Sequence, residues 1–150
     1  HRDLHAFPTR RSSDLEHYLC YQYNAYQLLD LAEYYSLSGD PVALGVMKDL
    51  AEFVSGGLTS TGDARYSCEK DRPAIHYFTS AIACALRRAH EFGLGDYSVE
   101  SERGYSRLLS IQRCDGGFDY SWGDYGCFAD RRSYPRNQAM ILRHLLAAVG

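Results

Sequence analysis

One ordered series of residues occurs twice in this chain of 150 residues, and it limits the possible folds more than any other feature. In the first copy a helical stretch closes on Gly39-Asp40-Pro41 and a second apolar-periodic stretch follows. A loop then runs through Gly56-Gly57-Leu58, Cys68, Asp71 and Pro73. In the second copy the stretch from Ile75 closes on Gly95-Asp96. After the next apolar stretch come Gly116-Gly117-Phe118, Cys127, Asp130 and Pro135. A recurring glycine pair means little alone, but a whole series repeated in order signals duplication.

The local chemistry makes each copy a helical hairpin. Tyr21 to Asp40 places Ala25, Leu28, Leu29 and Ala32 on one helical face. Gly39 suits a left-handed cap, Asp40 an N-cap, and Pro41 the first helical position. The next helix is expected over Pro41 to Phe53, with Leu44, Met47, Leu50 and Ala51 inward. In the second copy, helices are expected over Ile75 to Asp96 and Val99 to Arg113. Ser98 is the expected N-cap there, and Leu108, Leu109 and Ile111 are the apolar positions. A third opening helix starts near Pro135, with Ala139 matching Ala81 and Ala25. No alternating pattern indicates strands. Such units stack to bury their apolar faces.

The run Gly104-Tyr105-Ser106-Arg107-Leu108-Leu109-Ser110-Ile111-Gln112-Arg113-Cys114-Asp115-Gly116-Gly117-Phe118 resembles the repeat of terpenoid cyclases and protein prenyltransferases. There a helix ends in Gln, and two residues later comes Asp-Gly-Gly with an aromatic. Gln112 would bond the adjoining turn, Gly116 and Gly117 would allow positive φ, and Phe118 would plug back between helices. The first copy is a worn version, with Gly56-Gly57-Leu58 but no preceding Gln or Asp. The resemblance implies an all-α fold: a fragment of an α-α toroid built of repeated helical hairpins, about two and a half of them. The repeats span about 21–73, 75–134 and 135–150, within a partial toroid domain over 16–150. The family's acidic Asp-rich motif and its zinc-binding Asp-x-Cys are both missing from this sequence.

Residues 1–15 lack periodicity, and Phe7-Pro8-Thr9-Arg10-Arg11-Ser12-Ser13-Asp14-Leu15 resembles the translation of a sequencing-library adapter. Residues 1–15 are therefore expected to be a non-native tail, the alternative being a flexible basic arm. Helix Ala139 to Val149 has no later element to pack against, so a fragment is expected, missing the remainder of its own toroid. Its exposed apolar faces are expected along Ile141, Leu142 and Leu145 and along the Tyr21–Asp40 helix.

The balance of 16 basic against 19 acidic residues argues against a nucleic-acid binder. The longest apolar run, Ala81 to Leu86, is far too short to span a bilayer. Five cysteines (Cys20, Cys68, Cys84, Cys114 and Cys127) form no CxxC pair, which favours free thiols in a reducing compartment, the cytoplasm. Cys68 and Cys127 occupy equivalent loops and are expected to share a structural role. A zinc site combining either with Asp63, His76 or Asp124 is the weaker reading; no metal and no cofactor is assigned.

The starts of the three opening helices are polar and aromatic. In a toroid, Tyr21, Tyr23 and Asn24, then His76, Tyr77 and Ser80, then Tyr134, Arg136 and Asn137 would gather at one mouth of the cavity. His76, Tyr77, Asn24 and Arg136 are the candidate catalytic residues. His76 would serve as base, a tyrosine as acid, and Arg136 with Asn137 would neutralise a carboxylate. Tyr21, Tyr23, Tyr134, Asn137 and Trp122 are the candidate substrate-binding residues. The residue types, though no local motif, resemble the catalytic group of toroidal polysaccharide lyases. Against this stands helix capping and rim packing, and for the thirteen tyrosines ordinary core packing.

Three functional readings follow. The leading one is a terpenoid cyclase- or prenyltransferase-like protein binding an apolar or ring-bearing small molecule in its central cavity. The second is a toroidal lyase, epimerase or hydrolase acting on uronate-containing glycans. The third is a non-catalytic toroid whose mouth is blocked by Tyr120, Trp122 and Tyr125.

Overall fold

A computed structural model describes residues 20–149; the tail assigned to residues 1–15 lies outside them. Five helices and three short strands follow one another: α1 (Tyr21–Ser38), α2 (Pro41–Ser55), β1 (Ala74–Ile75), α3 (His76–Glu91), α4 (Ser98–Ile111), β2 (Ser121–Asp124), β3 (Phe128–Asp130) and α5 (Pro135–Val149). The chain is mostly helical. α1, α3 and α5 lie side by side with α3 in the middle; α2 packs on α1 and α3, and α4 packs on α3.

The first hairpin turn is built as its residues dictate. Gly39 is left-handed (φ 66°) and its N–H donates to Tyr35 O at 2.8 Å. The Asp40 carboxylate accepts from Val42 N at 2.9 Å, and Pro41 takes the first helical position. The second turn differs. α3 stops at Glu91, short of Asp96, and Gly93 (φ 69°) makes the left-handed turn in place of Gly95. Ser98 is not the N-cap: it is already helical, and Asp96 accepts from both its N–H and its hydroxyl. Asp40 and Asp96 thus do the same work 56 residues apart.

The Gly-Gly-apolar loops also match in outcome. Leu58 and Phe118 are both buried, Leu58 in the core between α1, α2 and α3 and Phe118 in the core between α3, α4 and α5. Gln112 Nε2 donates to Gly116 O at 2.9 Å, and Gly116 has φ 82°. The glycine pairs serve different needs, however. Gly57 leaves room for the Tyr21 ring, since a Cβ there would sit 2.9 Å from Tyr21 Cγ.

The all-helical expectation needs one correction. β1 pairs antiparallel with β2 (Ile75↔Ser121, Ala74↔Trp122), and β2 pairs antiparallel with β3 (Ser121↔Asp130), with a bulge between Trp122 and Asp124. The strands have two to four residues, too short for alternation to register. This sheet ties the first loop to the second.

Of the apolar positions on α4, Leu108 is buried and Leu109 is exposed. Of the expected open apolar face, Ile141 is buried against Ala83, Tyr105 and Phe118, Leu145 is half-buried, and Ala25, Leu28 and Ala32 of α1 are covered in the first core; Leu142 stays exposed, joined by Leu146 and Val149. Ala139 is exposed, unlike buried Ala25 and Ala81. The two loop cysteines also diverge: Cys68 is half-buried, whereas Cys127 is exposed beside the β2–β3 turn.

Candidate functional site: a tyrosine-lined groove between α1, α3 and α5

On a helix, side chains three or four residues apart share a face, and consecutive ones point about 100° apart. That spacing decides which candidates meet. Tyr23 and Tyr26 of α1, Tyr77 of α3 and Arg136 of α5 lie close together, near enough for the Arg136 charge to be felt at the Tyr26 and Tyr77 hydroxyls. Tyr120, which precedes β2, adds its ring 6.2 Å from Tyr77, and Tyr134 packs edge-on against Tyr120 at 5.1 Å. Asp130 accepts from Tyr134 and pairs with Arg132, which holds its carboxyl down at about 2.

From Tyr26 the groove continues toward the C-terminal ends of the three helices as a cleft of about 430 Å³. Tyr26, Leu29, Asp30 and Glu33 line one side, Cys84 and Arg88 the floor, and Met140, Arg143, His144 and Ala147 the other side. Arg143 reaches across to Glu33 at 3.1 Å. Tyr26 Oη is buried with no hydrogen-bond partner among the described residues. Burial raises the Tyr26 and Tyr77 hydroxyls above the ordinary tyrosine value, and burial does the same for Tyr120. These phenols stay protonated at neutral pH and can donate, not abstract. A second cleft, of about 560 Å³, lies among the ends of α3, α4 and α5 and includes Tyr105, Leu109 and Leu145.

The remaining candidates face elsewhere. His76, one residue before Tyr77, is buried toward Asp63 and Arg107. Its Nδ1–H donates to Asp119 O at 2.7 Å and its backbone N–H to Tyr120 O, so it anchors the second loop. Burial lowers its pKa. The base of the proposed acid–base pair is therefore turned away from the acid. Tyr21 stacks on Phe53 at 4.9 Å, on the side of α1 opposite Tyr23. Asn24 donates to Cys20 O at 2.9 Å, within its own helical turn. Asn137 is half-buried and shares an α5 face with buried Ile141 and with His144, whose side chain reaches the cleft, about 100° round the helix from Arg136. Trp122 lies on the sheet with the Arg72 guanidinium 3.7 Å over its ring. Asp63 pairs with Arg107 at 2.7 Å, and no group of three or more metal-ligating side chains exists among the described residues.

Tyr26 is not among the sequence's site candidates, and Tyr120 figures there only as a residue that would block the mouth. Spacing was the available signal for Tyr26, three residues from Tyr23. Tyr120 reaches the groove through a loop whose path the sequence does not reveal.

Ser80 and His144 form a pair that invites a nucleophile reading, with Ser80 Oγ 2.9 Å from His144 Nδ1. Ser80 spends its proton on Tyr77 O, so Oγ accepts from His144 Nδ1–H. The polarity is opposite to that of an activated serine, and Ser80 is fully buried.

The fold defined here, stacked helical hairpins with long loops gathered at one end, has a solved counterpart. A crystal structure described as a possible member of the GH105 family, from Salmonella enterica serovar Paratyphi A, superposes with a TM-score of 0.66 over 87% of this chain at 13% identity. The chain spans 39% of that protein's length. Neither a protein family nor a curated protein matches the sequence.

Proposed function

We propose that the chain is part of an α-α toroid that binds an acidic glycan in the groove between α1, α3 and α5. The observation that carries this is the convergence of Tyr23, Tyr26, Tyr77, Tyr120 and Arg136 above a cleft of sugar-sized volume. Tyrosine rings stack on sugar faces while their hydroxyls donate to ring oxygens. Arg136 has no carboxylate partner among the described residues and suits a uronate. The likeness to a possible GH105 protein, a glycoside hydrolase family of toroidal fold, supports this reading over a terpenoid one. Among glycan chemistries, hydrolysis fits better than proton abstraction, since His76 faces away from the groove. The carboxylates that face it are Asp30 and Glu33.

Calorimetric titration with digalacturonate, a neutral disaccharide and farnesyl diphosphate tests the proposal. Digalacturonate is expected to bind in preference to the other two, and Arg136→Ala to weaken it about tenfold. Preferential binding of the prenyl diphosphate would restore the terpenoid reading.

A further inference from the structure

The three-stranded sheet leaves the groove directly, and its outer face carries features that the groove does not use. Tyr120 of the groove stands immediately before β2 and two residues before Trp122, so no more than about 7 Å of chain separates them. Ala129 pairs opposite Trp122, and Phe128 and Tyr125 beside it are exposed, Tyr125 at 97%. Arg72 lies flat on the Trp122 ring. It does so because position 123 is glycine: a Cβ there would come within 2.7 Å of Arg72 Cδ.

Three nearby carboxylates are engaged by other groups, and Arg72 pairs with none of them. Asp71 is held by Arg65, Asp130 by Arg132, and Asp124 turns back onto the Ser121 hydroxyl. Arg72 has no carboxylate within ion-pairing distance among the described residues, and neither has Arg131, which follows β3. A guanidinium stacked on an aromatic ring keeps its N–H edge free and pre-oriented for a bidentate carboxylate.

We propose that Arg72 and Trp122 form a second carboxylate-recognising subsite, outside the groove, which holds a further uronate ring of the same glycan. The inference rests on the groove reading and extends it: the ligand is a chain of acidic sugars running from the tyrosines out along the β2 face. Charge complementarity and continuity with the groove favour this occupant over a second copy of the chain.

The test compares digalacturonate with hexagalacturonate on the 150-residue protein, by calorimetry and by the emission of Trp122, its single tryptophan. The hexamer is expected to bind about tenfold more tightly than the dimer and to be the one that shifts the emission. Arg72→Met, which keeps the stem over the ring, should abolish that tenfold advantage and leave dimer affinity unchanged; Arg72→Lys should restore part of it. Equal affinity for the two lengths in the wild type, or an undiminished hexamer advantage in Arg72→Met, overturns the subsite while leaving the groove intact. Loss of dimer binding alone, with an Arg72-dependent hexamer response, overturns the groove and leaves the subsite. No binding of either overturns both. Emission that shifts with protein concentration in the absence of sugar would assign the face to a second copy and overturn the proposal.

Discussion

His144 sits where three elements meet, and its protonation state decides how well α5 is seated. Its ring donates to Ser80 of α3 and lies 6.2 Å from the Tyr26 ring of α1; its backbone carbonyl accepts from Tyr105 of α4 at 3.2 Å. Burial, helped by the adjacent Arg143, lowers its pKa from 6.5 to about 4. Between those values the unfolded chain binds more protons than the folded one, so stability is intact above pH 6.5 and drains away as pH falls toward 4. The loss is on the order of 3 kcal/mol. Thermal melts from pH 7.5 to 4.5 should show this fall, and His144→Gln should flatten it. The slope that remains would belong to His76, whose pKa burial also lowers. Tyr105→Phe removes one buried hydrogen bond and is expected to cost about 1 kcal/mol in urea denaturation. At this scale the sequence is only partly readable. It brings polar groups to the helix starts, but whether His76 or Tyr77 faces the groove depends on helix rotation, which tertiary packing sets.

At the scale of elements, turns were more legible than loops. Gly39-Asp40-Pro41 announces itself because each residue has one strong local preference, and all three agree. Phe118 was likewise readable as a plug, through the Gln112 and Gly116 chemistry around it. The sheet was not, because β2 and β3 are too short to show alternation and the partner of β2 on its other edge, β1, lies 46 residues earlier at Ile75↔Ser121. The loop glycines separate two kinds of requirement. Gly116 needs only a left-handed backbone, with nothing within 4 Å of an added Cβ, so Gly116→Ala should cost about 1 kcal/mol. Gly62 has φ 86° and also meets Arg103 O, 2.5 Å from an added Cβ, so Gly62→Ala should cost about 2–4 kcal/mol. Phe118→Ala should cost about 3–5 kcal/mol and Leu109→Ala about 0.5 kcal/mol or less, a contrast that denaturant midpoints will reveal.

Across the whole molecule, hairpin stacking leaves one face unfinished. Leu142, Leu146 and Val149 recur at helical spacing on α5 and are all more than half exposed. Sedimentation velocity should show association that rises with concentration, and Leu146→Glu should suppress it without lowering the melting temperature. The duplicated series made the stacked arrangement readable in advance, whereas the groove's membership emerged only when α1, α3 and α5 were set side by side. α3 holds the two halves together. Eleven of its sixteen residues are buried, and its side chains belong to both apolar cores. A helix shared in this way acts as a common keel, so neither half can open by itself without exposing the other. Deuterium uptake should therefore be slowest along Ala81 to Leu86, and the exchange of α2 and α4 should converge on one rate under mild denaturant, as two planks lift together once the timber beneath them gives way.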